Sequence, residues 1–182
     1  MNSQEKRFSK IEYWKAVLIT GFFTGLLSFL AYFSINVFTN SSFSVLYFIV
    51  YFFPFLTMLL TASNFKRYYA INGMIFFDTF FLSLLIGLLS AFIMSLFIYL
   101  IYNFLNTEAF THRMNTLIAS VLSDPDNQIE DAITLRNVLH KMYSPFKLAS
   151  WMFGANLLLS FLYACIIAIF VRKKKSFNLN FK

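Results

Sequence analysis

The sequence predicts an all-α integral membrane protein: four transmembrane helices with an extracytoplasmic amphipathic helical insert between the third and fourth. Three observations lead there. Of 182 residues, 59% are hydrophobic and only 13% charged, and the mean hydropathy is +0.66. A water-soluble domain carries roughly 25% charge, so lipid is the expected solvent for most of this chain. The apolar residues fall into four runs, each near or above the roughly 20 residues that cross a hydrocarbon core about 30 Å thick. The lysines and arginines gather in alternate links, as they do when one side of a membrane retains them.

The first run covers residues 16–38, after Trp14 and Lys15 and before the polar Thr39, Asn40, Ser41 and Ser42. It is too long for the apolar region of a cleaved signal and no small-x-small site follows, so it is read as a retained anchor. The second run, 43–63, contains Pro54. In a membrane span proline bends a helix rather than ending it when another group serves the freed carbonyl, and Thr57 is near enough to help. The third run, 72–105, is longer than a bilayer needs, which fits a helix that emerges on the far side. The fourth runs over 145–171, with Ser144 placed to cap it and Pro145 at its first position.

Orientation follows from the basic residues. Lys6, Arg7, Lys10 and Lys15 precede the first run, Lys66 and Arg67 follow the second, and Arg172, Lys173, Lys174, Lys175 and Lys182 follow the fourth. All three groups lie on one side, so both termini are expected in the cytoplasm of a bacterium, with the protein multi-pass in its inner membrane. The net charge of +7 is largely this topology signal. Anionic headgroups are then the expected partner of the Arg172 to Lys175 cluster, and nucleic acid is not needed to explain it.

The segment 106–144 has the most soluble character. Phe110, Met114, Leu117, Ile118, Val121 and Leu122 recur at helical spacing, and "SDPDNQ" breaks the chain before a second stripe of Ile129, Ala132, Ile133, Leu139 and Met142. Asn127 and Glu130 have capping-box spacing. Two short helices are expected, either covering apolar surface of the bundle or presenting a face to a protein partner.

Small residues four apart mark where membrane helices approach closely. Gly21 and Gly25 form such a pair in the first span. Ser83, Gly87, Ala91 and Ser95 form a ladder in the third, and Ser150 and Gly154, then Ser160, Ala164 and Ala168, mark the fourth. These faces suit contacts inside one subunit, with an oligomer as the other reading.

One carboxylate stands out. Asp78 lies about six residues into the third run, roughly 9 Å deep at 1.5 Å per residue. Thr20 and Gly21, Thr57, and Ala164 and Cys165 fall at the same depth on the other spans. The plainer reading is structural: Asp78 bonds to Thr20 or Thr57, or pairs with Lys15, Lys66 or Arg67 reaching in from the interface. The functional reading makes Asp78, Thr20 and Thr57 a proton or cation site, since an acid inside a membrane is costly to keep. Asn156 reads as interhelical glue, and Cys165 as a small buried hydrophobe. His112, four residues after Glu108, lacks the spacing of a metal motif, and no nucleophile elbow or phosphate loop is present. No cofactor, metal or catalytic site is expected.

The order "LITGFFTGLLSF", "NFKRYYAINGMIFFDTFF", "LFIYLIYNFLNTEAFTHRM" and the closing "AIFVRKKK" resembles the small inner-membrane proteins of Bacteroidota grouped as domain of unknown function 4199. The match rests on Gly73 ahead of Phe77 and Phe80, on the "IYNFLN" exit with Glu108 and Phe110 behind it, and on the final lysines. The resemblance implies four spans and an extracytoplasmic insert before the last, and carries over no functional residue. The expected function is that of an accessory or scaffold subunit rather than an enzyme, with a transport or proton-coupled role at Asp78 as the alternative.

Overall fold

A computed structural model describes residues 10–37, 44–69, 74–105, 144–171 and six positions between 108 and 119, with the side chains of 36–37 and 44–49 left aside. Four long helices account for nearly all of them. They are α1 (Lys10–Val37), α2 (Ser44–Tyr69), α3 (Phe76–Leu100, continued by a π-helical turn, Ile101–Leu105) and α4 (Pro145–Val171). No strand occurs among the described residues. Three stretches, Lys10–Ile35, Phe76–Leu105 and Pro145–Val171, are long and apolar enough to cross a membrane. The described part of α2 is not in that set; its last two turns hold Ser63, Asn64, Lys66 and Arg67.

Local chemistry explains the helix ends. Ser144 starts α4 as expected, its Oγ accepting from the Lys147 N–H at 3.3 Å. α1 begins six residues before the predicted run, since Lys15 pairs with Glu12 at 3.0 Å one turn apart and carries the helix out past the apolar stretch. α2 likewise runs on to Tyr69. α3 begins at Phe76 rather than near Asn72; its N-cap position, Ile75, has extended backbone and offers no side chain to the free N–H groups.

α3 is the hub, packing most extensively on α4 and then on α1. α1 also packs on α2, while α2 touches α4 and α3 more lightly. α1 and α4 scarcely meet, so the ring order is α1, α3, α4, α2, with its loosest side between α2 and α4. Two apolar clusters fill the bundle, one toward the N-terminal end of α3 around Met58, Leu82, Ile86 and Ile167, the other toward its far end around Phe29, Val50, Met94 and Ile98.

The distribution of polarity is reversed from that of a water-soluble protein. Trp151 and Phe170 are each 76% exposed, and Phe23, Phe81 and Leu158 also face outward. Thr24, Ser28, Thr79, Ser83 and Ser160 are buried. An apolar exterior around a hydroxyl-bearing interior is what lipid as solvent favours, because the outer side chains there lose nothing by exposure.

In the insert, positions 108, 111, 112, 115, 116 and 119 are helical and exposed, at the three and four spacing of one helix face. Thr116 donates to the His112 carbonyl at 3.0 Å. The apolar stripe from Phe110 to Leu122 and the second stripe from Ile129 to Met142 lie outside the described residues.

Candidate functional site

Four hydroxyls meet in pairs across the α1–α2 seam. Thr20 and Thr24 are one turn apart on α1, and Thr57 and Thr61 are one turn apart on α2, so each pair shares a helix face. Thr20 and Thr61 hydroxyls lie 3.2 Å apart, and Thr24 donates to Thr57 at 3.0 Å. The register is antiparallel: four residues up α1 corresponds to four residues down α2. Sequence reasoning had Thr20 and Thr57 but missed Thr24 and Thr61; the matching i, i+4 threonine pairs were the available signal.

Thr57 also serves the proline. Its hydroxyl donates to the Pro54 carbonyl at 2.9 Å. The carbonyl that Pro54 leaves free by lacking an N–H is that of Val50, one turn earlier, so Thr57 steadies the bend without filling the gap. In the same turn, the Tyr51 carbonyl accepts from the Tyr163 hydroxyl of α4 at 3.1 Å. Phe55 packs edge-on against Tyr163, with centroids 5.3 Å apart.

Asp78 is not part of this seam. It sits half-buried in the first turn of α3. Its expected partners are otherwise engaged. Thr20 and Thr57 pair with threonines, Lys15 with Glu12, Lys66 with the Val171 carbonyl at 2.5 Å, and Arg67 lies 5.6 Å over the Tyr68 ring. A carboxylate in the first helical turn meets the positive end of the helix dipole, which accounts for an acid at this point where Ile75 provides no cap. The depth expected from the sequence therefore shrinks to the start of the helix.

The small-residue faces divide. A Cβ on Gly21 would stand 2.9 Å from Leu89, and one on Gly25 would stand 2.7 Å from the Ser90 carbonyl, so the first pair seats α1 on α3. A Cβ on Gly87 would stand 2.5 Å from Ser160, at the α3–α4 contact. Ser83, Ala91 and Ser95 are buried beside it. Gly154 has open space around it, and Ser150 is exposed. Asn156 donates to Met152 within its own helix at 2.8 Å and approaches the Met94 sulfur at 3.7 Å, which is local bonding with a weak contact across to α3. Cys165 is half-buried on α4.

A family described as protein of unknown function (DUF4199) matches residues 16–173. The chain belongs to that family. No curated protein and no solved structure matches it. In this DUF4199 chain the match takes in most of α1 and the whole of α2, α3 and α4, and ends within the basic cluster at Arg172, Lys173, Lys174 and Lys175, which lies outside the described residues. Lys66 donates to the last carbonyl of α4 just before that cluster, tying the end of α2 to the end of α4. A cation there also complements the negative end of the α4 dipole.

Proposed function

We propose that this DUF4199 protein crosses the bacterial inner membrane four times, keeps both termini in the cytoplasm, and acts as an accessory or scaffold subunit without a catalytic site or cofactor. One observation carries the reading. Thr20, Thr24, Thr57 and Thr61, hydroxyls that a carrier could offer to a substrate, are paired with one another across the α1–α2 seam, which supports reading them as fasteners between helices. The fourth crossing is α2, whose 26 residues would span about 39 Å at 1.5 Å each. A scaffold acts through a surface, and the amphipathic 106–144 segment is the surface we assign to a protein partner. The Arg172 to Lys175 cluster anchors the other side to anionic headgroups.

The test is recovery from native membranes in mild detergent. A stoichiometric companion that disappears when Leu117, Ile118 and Val121 are made polar is the expected result; isolation of the chain alone, with no phenotype from those changes, contradicts it. The transport alternative needs Asp78, Thr20 and Thr57 to act together, while Thr20 and Thr57 pair instead with Thr61 and Thr24. Proton flux in liposomes that Asp78→Asn abolishes, with the bundle still folded, would restore that alternative.

A further inference from the structure

A lateral groove of about 440 Å³ opens between α3 and α4. Its walls include Phe92, Ser95 and Tyr99 of α3 and Phe146, Ser150 and Phe153 of α4. The helices run antiparallel, with the Tyr99 and Phe146 rings in edge contact, 6.3 Å between centroids, at one end. From there the groove descends to Phe92 and Phe153, about 10 Å deeper at 1.5 Å per residue.

Three buried serine hydroxyls in the described bundle have no hydrogen-bond partner: Ser28, Ser83 and Ser95. Of these, Ser95, 7% exposed, lines the groove. In a helix, serine ordinarily returns its proton to the carbonyl one turn back, as Ser150 on the opposite wall does to the Phe146 carbonyl of its own helix at 2.8 Å. Ser95 therefore holds an unused donor in an apolar wall, where an unmet hydrogen bond is costly.

We propose that the groove holds one acyl chain of a glycerophospholipid and that Ser95 donates to its ester carbonyl. This rests on the reading that α3 and α4 cross the membrane. The levels agree with it. At 27 residues α4 is about 40 Å long, some 10 Å more than the hydrocarbon core, so its first turn stands among headgroups. Ser95 faces the level of Ser150, about 7 Å below the start of α4, close to where ester carbonyls end and acyl chains begin. The tail then lies along Phe92 and Phe153, and the phosphate stands beside Lys147, exposed in the first turn of α4. An acyl chain suits this groove better than a polar ligand because lipid already surrounds its open side.

Photolabelling tests it, using the full chain in phosphatidylglycerol vesicles doped with a phosphatidylglycerol that carries a diazirine in one tail. The groove residues take severalfold more label than the exposed Phe22, Phe23 and Phe170. Ser150→Trp, which fills the groove from its exposed rim, removes the excess. Ser95→Ala lowers it about fivefold, the worth of one net hydrogen bond. Label spread in proportion to exposure, or an excess that survives Ser150→Trp, overturns the proposal. So does benzoylphenylalanine in place of Ser150 that captures a second copy of the chain or the 106–144 segment instead of lipid. Absence of label from α1, α3 and α4 alike would fail the membrane reading itself, a different result from loss of the groove's excess.

Discussion

α1 is joined to its two neighbours by different physics. Against α3 it presents Gly21 and Gly25, and the helices come so close that a single added Cβ on Gly25 would press on a backbone carbonyl. Against α2 it presents Thr20 and Thr24, and two hydroxyl contacts span the gap. Between membrane helices there is no hydrophobic drive, so the dense seam gains its stability from dispersion along the whole contact, and the hydroxyl seam from a few directional bonds. The dense seam should fail abruptly when overfilled. The hydroxyl seam should weaken in small steps, while fixing the register at which α2 docks.

Four substitutions break or sharpen that contrast, measured by denaturant titration of unfolding in detergent micelles. Gly25→Leu is expected to cost most, about 3 kcal/mol, since its Cβ alone would meet the Ser90 carbonyl and the Ile93 Cβ, neither of them the far end of a flexible side chain; a cost below that of the threonine changes would erase the distinction. Lys66→Met removes the tie from α2 to the Val171 carbonyl and the helix-end charge, for about 1 kcal/mol. Thr24→Val costs about 0.6 kcal/mol, and a double-mutant cycle with Thr57→Val should return most of it as coupling. Additive losses would mean that the bond contributes nothing. Gly154→Ala, with open space where its Cβ would go, should stay within about 0.5 kcal/mol of the parent. A large loss there would place an unseen neighbour against α4.

Much of the fold could be read from the sequence, because each governing signal was local. Ser144 and Pro145 fixed the start of α4, and Gly21, Gly25 and Gly87 marked contact faces that the bundle uses. Gly154 has the same spacing as the others but borders open space, since a small-residue motif says that a helix can approach and not that one does. The candidate site was legible only as an inventory. Asp78, Thr20 and Thr57 stand out by residue type, yet which of them meet depends on helix rotation, and a chain apolar on every face carries no moment from which to read it. Thus Thr20 turned to Thr61 and Thr57 to Thr24, while Asp78 stands apart in the first turn of α3. The groove at Ser95 was beyond sequence reasoning for the same reason, as its walls come from two helices separated by the long insert.

The central claim is that α2 is a crossing, which makes the number of crossings even. With Cys165, the only cysteine, replaced by alanine, single cysteines at Ser3, Ser41, Ser123 and Ser176 can be probed in intact cells with a maleimide that does not pass the inner membrane. The account predicts labelling of positions 41 and 123 from outside, and of 3 and 176 only after the membrane is opened. Positions 3 and 176 in opposite compartments would contradict it.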